Sequence, residues 1–147
     1  MPLAEYLTSN RIRIGLHALD WRDLIEQVGA IMFQAGDIEK RYIDAMKKVT
    51  EEMGSYSVIA PGVVLLHGRP EDGVLRICLA AATLTEGINF GSANDPVLLA
   101  IGMGALDHNS HIEAIRDLAQ LLNDKAKVST LIKARTADDF IQVLNSS

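Results

Sequence analysis

Two histidines, His67 and His111, have the type and setting to do chemistry in this chain. His67 ends the apolar run Val63-Val64-Leu65-Leu66 and is followed at once by Gly68-Arg69-Pro70. A histidine at the carboxyl end of a buried strand lies where open α/β sheets bind ligands. Gly68 would let backbone approach a bound anion, and Arg69 would neutralise it. His111 follows Ser110, which reads as the N-cap of an amphipathic helix, so His111 falls in its first position. Free N–H groups and the helix dipole there favour anions and disfavour a protonated ring. His111 is therefore expected to be neutral and to donate one hydrogen bond. Together the two imidazoles could hold a phosphoryl group, with Arg69, Gly68 and Ser110 as the residues binding its oxygens. Each histidine also has a plainer reading. His67 could pack at a strand end with its ring bonded to backbone, and His111 could be an exposed first-turn residue.

The remaining polar residues are weaker candidates. His108 lies three residues before His111 and could line the same site or be solvated. His17 has no acidic or histidine neighbour at ligand spacing and is expected to be structural or solvated. A zinc site would want three or four ligands at short spacings, which His108-x-x-His111 across a helix start does not supply. Asn94-Asp95-Pro96 is accounted for by turn chemistry. The acidic pairs Glu51-Glu52 and Glu71-Asp72 are expected to be solvated. Gly102-x-Gly104 lacks the third glycine of a nucleotide loop, so neither ATP nor any other cofactor is expected.

Composition narrows the classes. The chain has 147 residues, 48% hydrophobic and 22% charged, which suits one domain from end to end. A net charge of −5 and no basic stripe argue against nucleic acid. No apolar stretch approaches the ~20 residues of a membrane helix. No secretory signal is visible at the N-terminus, so a cytoplasmic location is expected. Cys78, the only cysteine, excludes a disulfide framework and reads as a small buried hydrophobe.

The elements that must position the histidines follow from hydrophobic period. Ile12, Ile14 and Leu16 alternate as a short strand. Asp20 with Asp23 opens a helix whose inward face is Leu24, Ile25, Val28, Ile31 and Met32, and Gly36 closes it. A second helix is expected from about Ile38 to Met53, with Tyr42, Ile43, Met46 and Val49 inward. Continuous apolar runs over 56–59, 63–66, 75–84 and 97–103 predict strands covered on both faces. Ser110 with Glu113 predicts a capping box before Ile115, Leu118 and Leu122. Val128, Leu131 and Ile132 mark a short helix, and Thr136 with Asp139 opens the last. The order predicts a three-layer α/β/α sandwich with a mixed, mostly parallel sheet.

These residues carry a resemblance. The stretch Ala60 to Gly73 around His67, Asn94-Asp95-Pro96-Val97, and Asp107 through Ile112 resemble the mannitol/fructose-type EIIA domains of the bacterial phosphoenolpyruvate-dependent sugar phosphotransferase system, most closely the ascorbate branch. The resemblance implies a cytoplasmic histidine phosphocarrier. Its phosphorylated histidine falls on His67 and its second active-site histidine on His111. It further implies HPr as phosphoryl donor and an EIIB domain, feeding a membrane EIIC permease, as acceptor. Two departures are visible. Leu66 stands where the family usually has proline, and the segment 47–52 lacks the arginine of mannitol-type members, so Arg69 is the candidate for that work. A regulatory module that senses phosphorylation state without feeding a permease is the alternative.

Overall fold

The computed structural model describes residues 3–146. A short helix α1 (Leu3–Tyr6) precedes strand β1 (Ile12–Leu16), then helices α2 (Trp21–Gln34) and α3 (Arg41–Met53). Four strands follow: β2 (Val58–Ala60), β3 (Val63–His67), β4 (Cys78–Ile88) and β5 (Val97–Gly104). Helices α4 (His108–Leu122), α5 (Lys125–Ile132) and α6 (Ala137–Asn145) complete the chain. No helix among the described residues is long and apolar enough to cross a membrane.

The sheet runs β1-β4-β5-β3-β2. β1 pairs parallel with β4 and β3 parallel with β5, while β4–β5 and β2–β3 are antiparallel. The sheet is mixed, as expected, but evenly so rather than mostly parallel. Connection length is the reason. A parallel return needs a crossover of about a dozen residues or more. Pro61-Gly62 and the turn over 89–96 are too short for that, and Gly62 turns at φ 77°.

Both faces of the sheet are covered. Val64 and Leu66 of β3, with Ala80, Ala82 and Ala100, pack under α2 and α3. Val63 and Leu65, with Leu79, Leu99, Ile101 and Met103, pack against α4, α5 and α6. Strand residues alternate faces, and here both sides are apolar, which explains the unbroken runs. Gly102 lies under α2: a Cβ there would sit 2.7 Å from Val28 Cγ1 and 2.8 Å from Met32 Sδ. Close packing of α2 on the sheet thus accounts for this glycine.

Several boundaries differ from expectation. β4 begins at Cys78 rather than Leu75, because the Leu75 and Arg76 N–H groups donate to the Asp37 carbonyl. Ile38 bridges Val74, so α3 starts at Arg41. Residues 54–57 form a 3-10 turn with Tyr56 82% exposed, and β2 follows only from Val58. The Asp20 and Thr136 caps form as expected, accepting from the N–H groups of Asp23 and Asp139.

Candidate active site

The topology gathers one set of ends. His67 is the last residue of β3 and pairs opposite Met103 near the end of β5. α4 begins four residues after β5 stops, so its first turn swings over the same end of the sheet. The His67 and His111 rings meet edge to face, with centroids 5.1 Å apart and planes at 68°. Histidines far apart in sequence thereby share one site.

Behind His67 the backbone is clamped by Tyr42 of α3. Its hydroxyl accepts the Gly68 N–H at 2.8 Å and donates to the Met103 carbonyl at 2.8 Å. Tyr42 is 1% exposed, and burial pushes its phenol well above the ordinary range, so it stays protonated as this bridge requires. One hydroxyl therefore ties the ends of β3 and β5 to α3. A buried tyrosine must find a partner for its OH, a signal the sequence carries but without naming the partner.

His67 is half-buried, and its pKa lies below the ordinary 6.5. Burial is the main cause and the neighbouring His111 the second, while the Gly68 backbone opposes them. Its Nδ1 atom is buried without a hydrogen-bond partner among the described residues. His111 is also shifted down, by burial first and by His108 second. The ring is disposed to neutrality as expected, although burial rather than the helix dipole is the leading cause.

The helix start itself needs correction. Asp107, not Ser110, is the N-cap of α4: its carboxylate accepts the Ser110 N–H at 2.8 Å, and the Ser110 hydroxyl bonds back to the Asp107 backbone. An aspartate three residues before a serine forms the reciprocal box first, and the register of the helix moves accordingly. These bonds hold the Asp107 carboxyl below its usual range, the Ser110 N–H being the first cause. Ser110 is thus engaged in the cap and is not among the residues that line the cleft. His111 sits one turn into α4, its N–H bonded to the Asp107 carbonyl. What His111 presents to the site is its ring. His108 takes the first helical position, exposed at the cleft mouth.

The cleft has a volume of about 610 Å³. His67, Gly68 and Arg69 form its floor, α4 supplies His108 and His111, and α3 supplies Val49 and Glu52. Arg69 is exposed, with no ion pair among the described residues, so its guanidinium is free to meet an anion. Gly68 is present, but for a different reason from the one expected. A Cβ there would come within 3.0 Å of Ala45 Cβ and of Tyr42 Cε1, and its N–H is already engaged by Tyr42. Packing against α3 demands this glycine. Leu66 is fully buried among the side chains under α2 and α3.

Glu52 and Glu71 are exposed, as expected of solvated acids, and both line this cleft. Tyr42, Ala45, Val49 and Glu52 follow helical spacing on one stripe of α3, which was the available signal. His17 lies outside the cleft, its carbonyl accepting from Gln27 Nε2. Asp95 accepts the Phe90 and Ser92 N–H groups in the turn before β5, in line with turn chemistry. Cys78 is buried, its thiol pushed up to about 12 chiefly by burial, which suits an inert small hydrophobe.

Known proteins resemble this chain in sequence and in fold. The chain is 36% identical over 149 residues to the ascorbate-specific PTS system EIIA component of Salmonella typhi, covering 99% of this chain and 96% of the relative. It is 31% identical over 145 residues to the mannitol-specific cryptic phosphotransferase enzyme IIA component of Escherichia coli K12, covering 99% of each. The solution structure of the mannitol-specific cryptic enzyme IIA from Escherichia coli superposes with a TM-score of 0.86 at 31% identity over 98% of each chain. With residues 5–147 matching the second EIIA family of the phosphoenolpyruvate-dependent sugar phosphotransferase system, the chain belongs to that family.

Proposed function

We propose that this protein is a histidine phosphocarrier that takes a phosphoryl group from phospho-HPr onto His67 and passes it to an EIIB component. The observation that carries the reading is the edge-to-face pair of His67 and His111 in a cleft with a free arginine. Because Nδ1 of His67 is buried, Nε2 is the nucleophile. Its lone pair forms the new N–P bond as the P–N bond of the donor's phosphohistidine breaks, and that electron pair returns to the donor ring. The depressed pKa of His67 keeps this lone pair available at neutral pH. Phosphoryl transfer asks for positioning and charge stabilisation more than covalent help. The His111 ring and the Arg69 guanidinium supply that to the equatorial oxygens. His108 adds a further polar group at the mouth.

On the acceptor side the group goes to EIIB and, through a membrane EIIC, to an ascorbate-like sugar entering the cytoplasm. The 36% identity to an ascorbate-specific component supports that sugar class. The test is incubation with Enzyme I, HPr and phosphoenolpyruvate followed by intact mass measurement. One phosphoryl group is expected on the wild type and none on His67→Ala. Labelling that persists in the variant would overturn the assignment.

A further inference from the structure

The cleft around His67 is poor in positive charge. Glu52, Glu71 and Asp107 line it against a single Lys or Arg side chain, Arg69. Asp107 is held in the cap of α4, accepting the Ser110 N–H. Glu71 belongs to the same exposed turn as Arg69. Glu52 differs from both: it comes from α3, and its carboxylate has no hydrogen bond or ion pair among the described residues. Its neighbour Glu51 instead pairs with Arg22 at 3.8 Å and does not line the cleft.

Resting on the reading of His67 as the phosphoryl acceptor, we infer that Glu52 keeps phospho-His67 labile. A bound phosphoryl group brings roughly −1.5 to −2 charges into the cleft at neutral pH. Arg69 attracts it, and the unpaired Glu52 carboxylate repels it through space. The repulsion raises the free energy of the charged carrier and favours discharge. In that step the Nε2–P bond breaks, its electron pair returns to the ring, and the acceptor's nucleophile bonds to phosphorus. Glu52 forms and breaks no bond. It tunes the equilibrium between charged and empty carrier.

The experiment poises the full-length protein against Enzyme I and HPr at a fixed ratio of phosphoenolpyruvate to pyruvate, and reads the phosphorylated fraction by intact mass. Glu52→Gln is expected to raise the phosphorylation equilibrium constant about 3- to 10-fold, which is what one screened charge facing another across an open cleft contributes. Glu52→Lys should raise it further, and Glu52→Asp should stay near wild type. Glu51→Gln removes the same charge one residue away and should change nothing. Added salt should shrink the Glu52→Gln effect. Since Glu52 is exposed, these variants are expected to fold. A protein phosphorylated on His67 yet indifferent to Glu52, or equally sensitive to Glu51, overturns this inference alone. A wild type that takes no phosphoryl group overturns the His67 reading and this inference with it.

Discussion

At the scale of single residues, the site turns on what His111 does to His67. The two rings share a cleft, and each is pushed toward neutrality, so His67 carries a nucleophilic lone pair and His111 can donate one hydrogen bond. His111→Ala removes a neighbour that resists protonation of His67 and, on the proposed function, a donor to the phosphoryl oxygens. Loss of a donor aimed at developing charge costs about 2.7–4 kcal/mol, or ~100- to 1000-fold in rate. The lower end is expected because Arg69 remains. The same variant should move the His67 titration upward, toward 6.5, since burial of the ring and the like-charge neighbour are both reduced. Stopped transfer assays and an NMR titration of the imidazole check the pair. Unchanged kinetics in both directions would make His111 a bystander.

At the scale of elements, α3 holds the site from behind. Tyr42 bridges Gly68 and Met103, and Gly68 can be nothing larger because Tyr42 and Ala45 lie against it. Tyr42→Phe keeps the ring and removes only the hydroxyl. A buried N–H and a buried carbonyl then lose their partner, which costs about 1–3 kcal/mol. Urea unfolding should show that loss, and amide exchange at Gly68 should quicken. Phosphoryl transfer should slow as well, because the end of β3 is no longer fixed opposite β5. A variant with lower stability but wild-type transfer would show that the clamp serves the fold alone.

At the scale of the whole molecule, a second tie closes the same end of the sheet as the histidine pair, on its β1–β4 side. Asp37, fully buried between α2 and α3, receives the Arg11 guanidinium in two contacts of 2.7 and 2.9 Å. Its backbone carbonyl accepts from Leu75 and Arg76 on the approach to β4. Three segments distant in sequence meet at one residue. Removing one partner of a buried pair leaves the other uncompensated and costs about 3–5 kcal/mol. Arg11 keeps some contact with solvent, at 16% side-chain exposure, so Asp37→Ala is expected near the lower value. Breaking the exposed Arg22–Glu51 pair should change stability by less than about 1 kcal/mol. Chemical denaturation of the two variants decides it, and equal effects would refute the assigned role.

The sequence by itself determined the layered architecture and the two histidines. Apolar period is a local property, so α2, the unbroken runs of β3 and β5, and the Asp20 and Thr136 caps were all legible from neighbouring residues. Leu66-His67-Gly68-Arg69 marked the end of a buried strand for the same reason. Tertiary structure decided what depends on distance. The balance of parallel and antiparallel pairs followed from which strands the short turns could reach. The cap of α4 moved to Asp107 because two acceptors in one segment competed and only geometry chose between them. Ser110 was then taken up in that cap, Gly68 proved to be packed tightly against α3, and Glu52 came into the cleft. Each of these rests on contacts between segments far apart in the chain, and no local period or spacing encodes such a contact.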